Sequence, residues 1–291
     1  QSLLGIQGLV RNGIPNSAIQ WESGQRINLG LDIAAWNDRI SLTVDVYKNK
    51  TSNMLVYEEL PAATGFSTIA TNNGSMENTG IDASLNIRVI NKPAFKWDIG
   101  LQAGMYRNKV LSVPNGSFVT SYAGAGILTR NGEAANQFYG WVADGVFSTT
   151  AEAAAAGLSK KNADGSLSAF AAGDIRFRDL NGDKLIDESD RQVIGDPNPD
   201  FTGGFSNSIA FHRFKLDALF TFSSGNDVYN YLRNKLESLS GVENQLQSAV
   251  RRWRADGQQT DMPRASFGDP MGNSRFSNRW IEDGSYLRLR S

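Results

Sequence analysis

A strict alternation of apolar and polar side chains constrains this chain more than any other feature. Ile40, Leu42, Val44 and Val46 take one parity, while Ser41, Thr43, Asp45 and Tyr47 take the other. Successive side chains of a strand point to opposite faces, so the segment reads as a strand with one greasy face and one hydrophilic face. The pattern recurs in Ile81, Ala83, Leu85, Ile87 and Val89, in Trp97, Ile99, Leu101, Ala103 and Met105, and in Phe214, Leu216, Ala218, Phe220 and Phe222. It continues from Ile27 to Ala35 and, more weakly, from Phe201 to Phe211. The runs are about nine to eleven residues long, the length a tilted strand needs to cross the hydrocarbon layer and longer than the usual strand of a soluble sheet. A soluble antiparallel sandwich with one face on its core would alternate in the same way.

The connections favour the membrane. Trp36-Asn37-Asp38-Arg39, Asn91-Lys92-Pro93-Ala94 and His212-Arg213 each read as a tight hairpin turn. Between these hairpins lie long segments, residues 51–78, 107–200 and 224–284, well beyond ordinary loop lengths. Short turns therefore alternate with long loops, as in a barrel whose turns lie on one side of a bilayer and whose loops lie on the other. Asp45, Asp82, Arg88, Asp98, Lys215 and Asp217 all fall on the polar parity. A basic side chain on the other face would cost about 2 to 4 kcal/mol at the bilayer midplane, so the polar face must be wet. Trp97, Phe214 and Phe222 give a partial aromatic belt on the apolar parity.

Composition removes several function classes. With 29 basic and 30 acidic residues the net charge is -1, so no long-range field drives the chain onto nucleic acid. No window is long and apolar enough for a membrane-crossing helix, and the first residues lack the charged region and cleavage site of a signal peptide. Without cysteine there are no disulfides and no thiolate sites, and a single histidine, His212, cannot build a multi-histidine metal centre. Neither a phosphate-binding loop nor a nucleophile elbow occurs, and sequence-separated acids do not make a glycosidase, so the expectation is a protein that is not an enzyme.

The long segments carry the remaining signals. Ala151–Gly157 is helix-prone, and Val228–Trp253 places Leu232, Leu236, Leu239, Leu246 and Val250 at roughly helical spacing, which predicts a second helix. Counting from Asp179 as the first position, oxygen side chains fall on Asp179, Asn181, Asp183, Asp187 and Asp190, with the Leu185 carbonyl between them. That is the spacing of an EF-hand-type loop, which gathers hard oxygen ligands around one cation. Lys184 stands where that loop has glycine, and Asp190 stands where it has the longer glutamate. Two readings stay open: a structural Ca2+ on these residues, or an ion-free turn neutralised by Arg176, Arg178 and Arg191.

Six segments together resemble one family. Ile14–Glu22, Pro61–Phe66, Asn73–Asp82, Gly173–Asp183, Ile194–Asp200 and Ile281–Arg290 are similar, in this order, to the C-terminal barrel region of SusC/RagA-type TonB-dependent outer-membrane transporters of Bacteroidota. The resemblance spans residues 1–291 as one unit. It implies an all-β, antiparallel transmembrane barrel segment, part of a 22-stranded barrel, with long extracellular loops carrying short helices. It also implies a SusD-like surface lipoprotein as partner, the TonB complex acting through an N-terminal region, and import of oligosaccharides or peptides across the bacterial outer membrane.

Measured against that family, the chain reads as a barrel piece without plug or last strands. Its unpaired edges predict that alone it neither transports nor stays a soluble monomer. Asp45, Tyr47, Asp82, Asn86, Arg88, Asp98, Gln102 and Tyr106 are expected to face plug or lumen. Tyr122, Tyr139, Trp141 and Tyr229, with Phe138, are the candidate substrate-stacking aromatics. The rival readings are a secreted soluble β-domain that binds glycans and a plug-free passive porin.

Overall fold

The computed structural model describes residues 14–291, together with the backbone of a small ladder pairing Ser2–Leu3 with Ile6–Gln7. Seven strands form one antiparallel sheet, numbered here as wall strands: β1 (Ser23–Ala35), β2 (Ile40–Glu59), β3 (Thr68–Lys92), β4 (Phe95–Ser112), β5 (Phe201–Phe211), β6 (Phe214–Ser224) and β7 (Tyr286–Leu289). Their order in the sheet is their order in the chain, so each strand pairs only with its sequence neighbours. The turns at residues 36–39, 93–94 and 212–213 close β1 on β2, β3 on β4 and β5 on β6, where the sequence expects them.

Register aligns the two parities into continuous rows. Ile33, Leu42, Leu85, Leu101, Phe205, Phe220 and Leu289 stand side by side across all seven strands. The adjacent row on the opposite face is Asp32, Thr43, Ser84, Gln102, Gly204, Thr221 and Arg288. A slip of one residue in any strand would carry polar side chains into the apolar face, and this is what fixes the register.

The apolar face is uncovered. Ile27, Leu29, Leu31 and Leu216 are 72, 76, 58 and 61 % exposed, and Phe214 is 80 % exposed. Such a face needs a non-aqueous neighbour, because contiguous apolar surface on this scale is not left against water. At its turn end Phe95, Phe211 and Phe214 lie in one row, with the first two rings meeting edge to face at 6.2 Å. On the polar face, Thr43 donates to Asp32 at 2.7 Å, Asn28 to Asp45 at 3.2 Å and Ser208 to Asp217 at 2.7 Å. Asp45 and Asp82 stand directly opposite each other across β2 and β3. They border an open groove of about 300 Å³ that Ser84, Gln102 and Thr202 also line.

Two expectations need correction. Residues 51–78 are not a long loop: the ladder between β2 and β3 continues through Met54–Gly74 and Tyr57–Ala70 to Glu59–Thr68, leaving only residues 60–67 as connection. These strands therefore run to 20 and 25 residues, about double the bilayer-crossing length, because backbone pairing persists after the one-sided greasy pattern stops. A left-handed Asn53 (φ 57°) and register shifts between Thr51 and Val56 mark the bend in the extension. Nor is residues 228–253 one helix. Helix α2 covers Tyr231–Leu236 and a short 3-10 turn covers Gln247–Arg251. Leu239 adopts a left-handed φ of 54° between them and is buried, whereas Leu232 and Val250 are both 65 % exposed, so these side chains never shared a face.

Candidate functional site

Residues 113–199 and 225–285 interlock into a cap at the end of the wall opposite the turns. A four-stranded sheet orders Gln192–Gly195, Gln137–Gly140, Ala125–Arg130 and Ser117–Tyr122, and Ala143–Val146 pairs with Ile175–Phe177. Helix α1 (Thr150–Ala156) forms where the alanine run expects it. The Thr149 side chain accepts the Glu152 amide, and Gly157 ends the helix at a left-handed φ of 64°. Its Ala153 packs with Val146, Phe147, Leu158, Phe170, Ile175, Phe177, Ile186 and Met271 in the main core.

A buried ion pair ties the two cap segments together. Arg264 makes a bidentate contact with Asp174, 2.9 Å on each oxygen, and Asp174 is fully buried. Asn273 donates to Asp174 at 3.0 Å and accepts the Ile175 amide at 2.8 Å, so the carboxylate is satisfied on every side. Gly173, just before it, needs its left-handed φ of 86° and lets Trp253 approach so closely that an added Cβ would stand 2.8 Å from the indole Cδ2. No local periodicity marks this pair in the sequence, since its partners lie 90 residues apart.

A second network surrounds α2. Asn230 caps the helix by accepting the Arg233 amide, and its side-chain amide donates to both oxygens of Glu282 at 3.1 and 3.0 Å. Arg233 bridges Glu237 and Glu282 at 3.1 and 3.0 Å. The Asn230 amide and the Arg233 guanidinium hold Glu282 below the usual carboxylate range. Burial pushes Arg279 down to about 10, partly opposed by Glu237 at 3.8 Å.

The Asp179–Asp190 loop folds on itself. Asp179 accepts the amides of Gly182 and Lys184 at 2.7 and 3.0 Å, Asp183 that of Leu185 at 2.7 Å, and Asp187 that of Ser189 at 2.7 Å. Buried Asp190 accepts the amides of Leu180 and Asp187 at 2.8 and 2.9 Å, and Asn181 donates to Asp183. Lys184 adopts the left-handed φ of 66° that glycine would supply at its position. Leu185 bridges to Ser159 and buried Ile186 enters the main core, so the loop is pinned to the cap. Among the described residues, no group of three or more histidines and carboxylates converges on a point where one metal ion could sit. Of the arginines expected to neutralise the loop, Arg191 pairs with Glu188 at 2.6 Å, while Arg176 and Arg178 pair with Glu152 and Asp144 instead.

The candidate aromatics separate into two places. Tyr139 and Trp141 flank the Arg191 guanidinium at 4.7 and 5.1 Å, and Arg275 covers Trp141 at 4.9 Å. The Trp141 indole N–H donates to the Asp187 carbonyl at 2.8 Å, linking these rings to the acidic loop. Sequence reading missed the sandwiching arginines, because cation–π partners leave no spacing signal. Tyr122 stands at a hairpin tip, 77 % exposed. The Tyr229 hydroxyl donates to the Ala123 carbonyl at that tip, and its ring packs on Phe276 at 5.0 Å. Phe138 is buried beside Phe276.

An open antiparallel wall with one uncovered apolar face, carrying a folded cap between its strands, defines a membrane β-barrel protein. Residues 6–132 match the family described as TonB dependent receptor-like, beta-barrel. Over 293 residues the chain is 32 % identical to TonB-dependent receptor P3 of Formosa agariphila, covering 98 % of this chain and 28 % of that protein. It is 28 % identical over 241 residues to TonB-dependent receptor SusC of Bacteroides thetaiotaomicron, covering 78 % of this chain and 22 % of SusC. The fold matches the solved RagAB peptide transporter with a TM-score of 0.76 at 24 % identity, over 94 % of this chain and 28 % of that one. Residues 6–132 therefore carry a TonB-dependent receptor-like β-barrel match, and the chain, similar to TonB-dependent receptors over nearly its whole length, spans somewhat over a quarter of the length of the curated receptors it matches from Formosa agariphila.

Proposed function

We propose that this chain forms wall and surface loops of a TonB-dependent importer in the bacterial outer membrane. The importer takes up oligosaccharides or peptides, with a SusD-like lipoprotein as surface partner and the TonB complex as energy source. The observation that carries this reading is the pair of adjacent rows running across all seven strands, one wholly apolar and one polar, which suits a wall between lipid and a wet lumen. The uncovered apolar face argues against the secreted soluble glycan-binding domain. Of the candidate aromatics, exposed Tyr122 is the one we propose for stacking on a substrate ring, since Tyr229 packs on Phe276 and Tyr139 and Trp141 spend their faces on arginine.

The test is uptake of a labelled oligosaccharide or peptide by cells that carry the full-length receptor. Import that stops when TonB is deleted supports the proposal, and import that survives the deletion identifies a passive porin instead. Environment-sensitive probes at Leu42 and Thr43 report the wall directly: the first is expected to sense lipid and the second water.

For Asp179–Asp190 we propose a strap that its own amides close and whose carboxylates, not convergent in this structure, a Ca2+ ion draws together, on the strength of the oxygen spacing and the left-handed Lys184. Each carboxylate retains lone pairs after its amide contacts. Micromolar to millimolar Ca2+ is expected to raise the cap's melting temperature and slow cleavage at the loop. No response at either readout would leave the ion-free strap as the correct reading.

A further inference from the structure

The greasy face of the wall ends in a band of positive charge. Row by row toward the cap, Leu29–Val46–Ile81–Met105 is the last apolar row of β1–β4. Two residues farther along the same parity, Ile27 is followed by Lys48, Thr79 and Arg107. Two residues beyond that, Gln25 is followed by Lys50, Glu77 and Lys109. The parity has not changed, so these side chains leave the sheet on the side that carries Leu42 and Leu85, about 7 and 14 Å past the last apolar row measured along the strand. Lys48, Lys50, Arg107 and Lys109 are all exposed. Glu77 pairs with Lys48 at 2.9 Å, and Asp200 approaches Arg107 at 3.7 Å. Lys50 and Lys109, on either side of Glu77, have no acidic partner among the described residues.

Strands at this level continue upward as a paired ladder, so the cations sit on rigid backbone rather than on a loop tip. A net positive patch at the upper limit of a lipid-facing surface lies where headgroups lie. We propose that Lys48, Lys50, Arg107 and Lys109 bind the phosphate groups of anionic membrane lipids on the cap side of the bilayer and so fix the height of the wall in the membrane. The inference rests on the reading that the apolar parity meets lipid.

The experiment uses the full-length receptor in nanodiscs of phosphatidylethanolamine alone or mixed with a phosphate-monoester lipid, either phosphatidic acid or lipid A. Lipid retained on the protein is counted by native mass spectrometry. Wild type is expected to enrich the phosphate-monoester lipid about tenfold over phosphatidylethanolamine, with the enrichment falling as salt rises. The combined variant K48Q/K50Q/R107Q/K109Q is expected to lose that enrichment while still inserting. The milder K50Q/K109Q variant, which breaks no ion pair, is expected to lose part of it. Unchanged enrichment in both variants overturns the proposal, as does displacement of the lipid by millimolar inorganic phosphate, which would mark a site for free phosphate. Failure of the underlying lipid-face reading looks different: a probe at Leu42 would then sense water in wild type and variants alike.

Discussion

The wall and the cap of this chain obey opposite rules about where apolar side chains go. In the wall, Ile27, Leu29 and Leu216 leave more than half of their surface uncovered, and the described residues offer nothing to cover it. In the cap, Phe147, Ile175, Phe177 and Trp280 are at most 1 % exposed, and apart from Val110 near the upper end of β4 every buried apolar residue among the described ones lies in the cap. A hydrophobic side chain is placed by its solvent, and the two regions have different solvents: lipid for the wall, other parts of the cap for the cap. The same contrast extends to charge. Wall charges spread over an open polar face, as with Arg88 and Asp98 at 3.7 Å, whereas the cap buries Asp174 against Arg264 with full hydrogen bonding.

Substitutions can break or sharpen this contrast, and the largest effect is expected in the cap. Phe147→Ala leaves a void in a packed interior and is expected to cost about 3–5 kcal/mol of cap stability, read as a lower denaturation midpoint and faster proteolysis of the loops. Phe214→Ala, at a position 80 % exposed in the wall, is expected to leave that midpoint unchanged. Equal sensitivity at both sites would erase the distinction.

Next comes a charge on the wall. Leu85→Arg enters the apolar row and is expected to cost about 2–4 kcal/mol of membrane assembly, whereas Ser84→Arg, one residue away on the wet face, is expected to be nearly silent. Heat-modifiable mobility on gels measures both. Gly173→Val follows, at about 1–3 kcal/mol, because it combines an unfavourable left-handed backbone with a clash against Trp253. The smallest effect is in acid. Glu282 is more acidic in the folded cap than its reference value of 4.5, so its contribution is complete above that pH and is lost as pH falls through the lower folded value. With its side chain 38 % exposed, solvent screening keeps this below ~1 kcal/mol. The Glu282→Gln variant is expected to flatten the acid limb of the cap's stability profile by that amount.

The wall was legible in the sequence because its determinants are local. Ile40 to Val46 state their two faces within a few residues, and the turns at residues 36–39 and 212–213 state where the strand reverses. The extension of β2 and β3 was not legible, since Thr51, Ser52 and Asn53 are polar on both parities and resemble a loop until backbone pairing is seen. The cap was readable only in pieces. Helix α1 followed from its alanines, but the leucines of residues 228–253 suggested a helix that a left-handed Leu239 interrupts. The acidic loop was visible as a spacing, yet its pinning by Ser159 and Trp141 depends on partners far along the chain. For the same reason Tyr139 and Trp141 look like free aromatic faces in the sequence and turn out to hold an arginine between them.

Two pairings in the wall, β4–β5 and β6–β7, close across a long segment, and the first of them asks the most of assembly. Most adjacent strands meet through a short connection, but β4 and β5 zip along Thr202–Gly104 to Phe211–Phe95 with the whole of residues 113–200 between them. Closing that seam carries the entropy of a long closed loop, so it is slow relative to the hairpins on either side. The wall is then best pictured as prefabricated panels joined at a late seam. Insertions or deletions in residues 113–200 should alter how fast that seam forms while leaving the geometry of the finished panels alone.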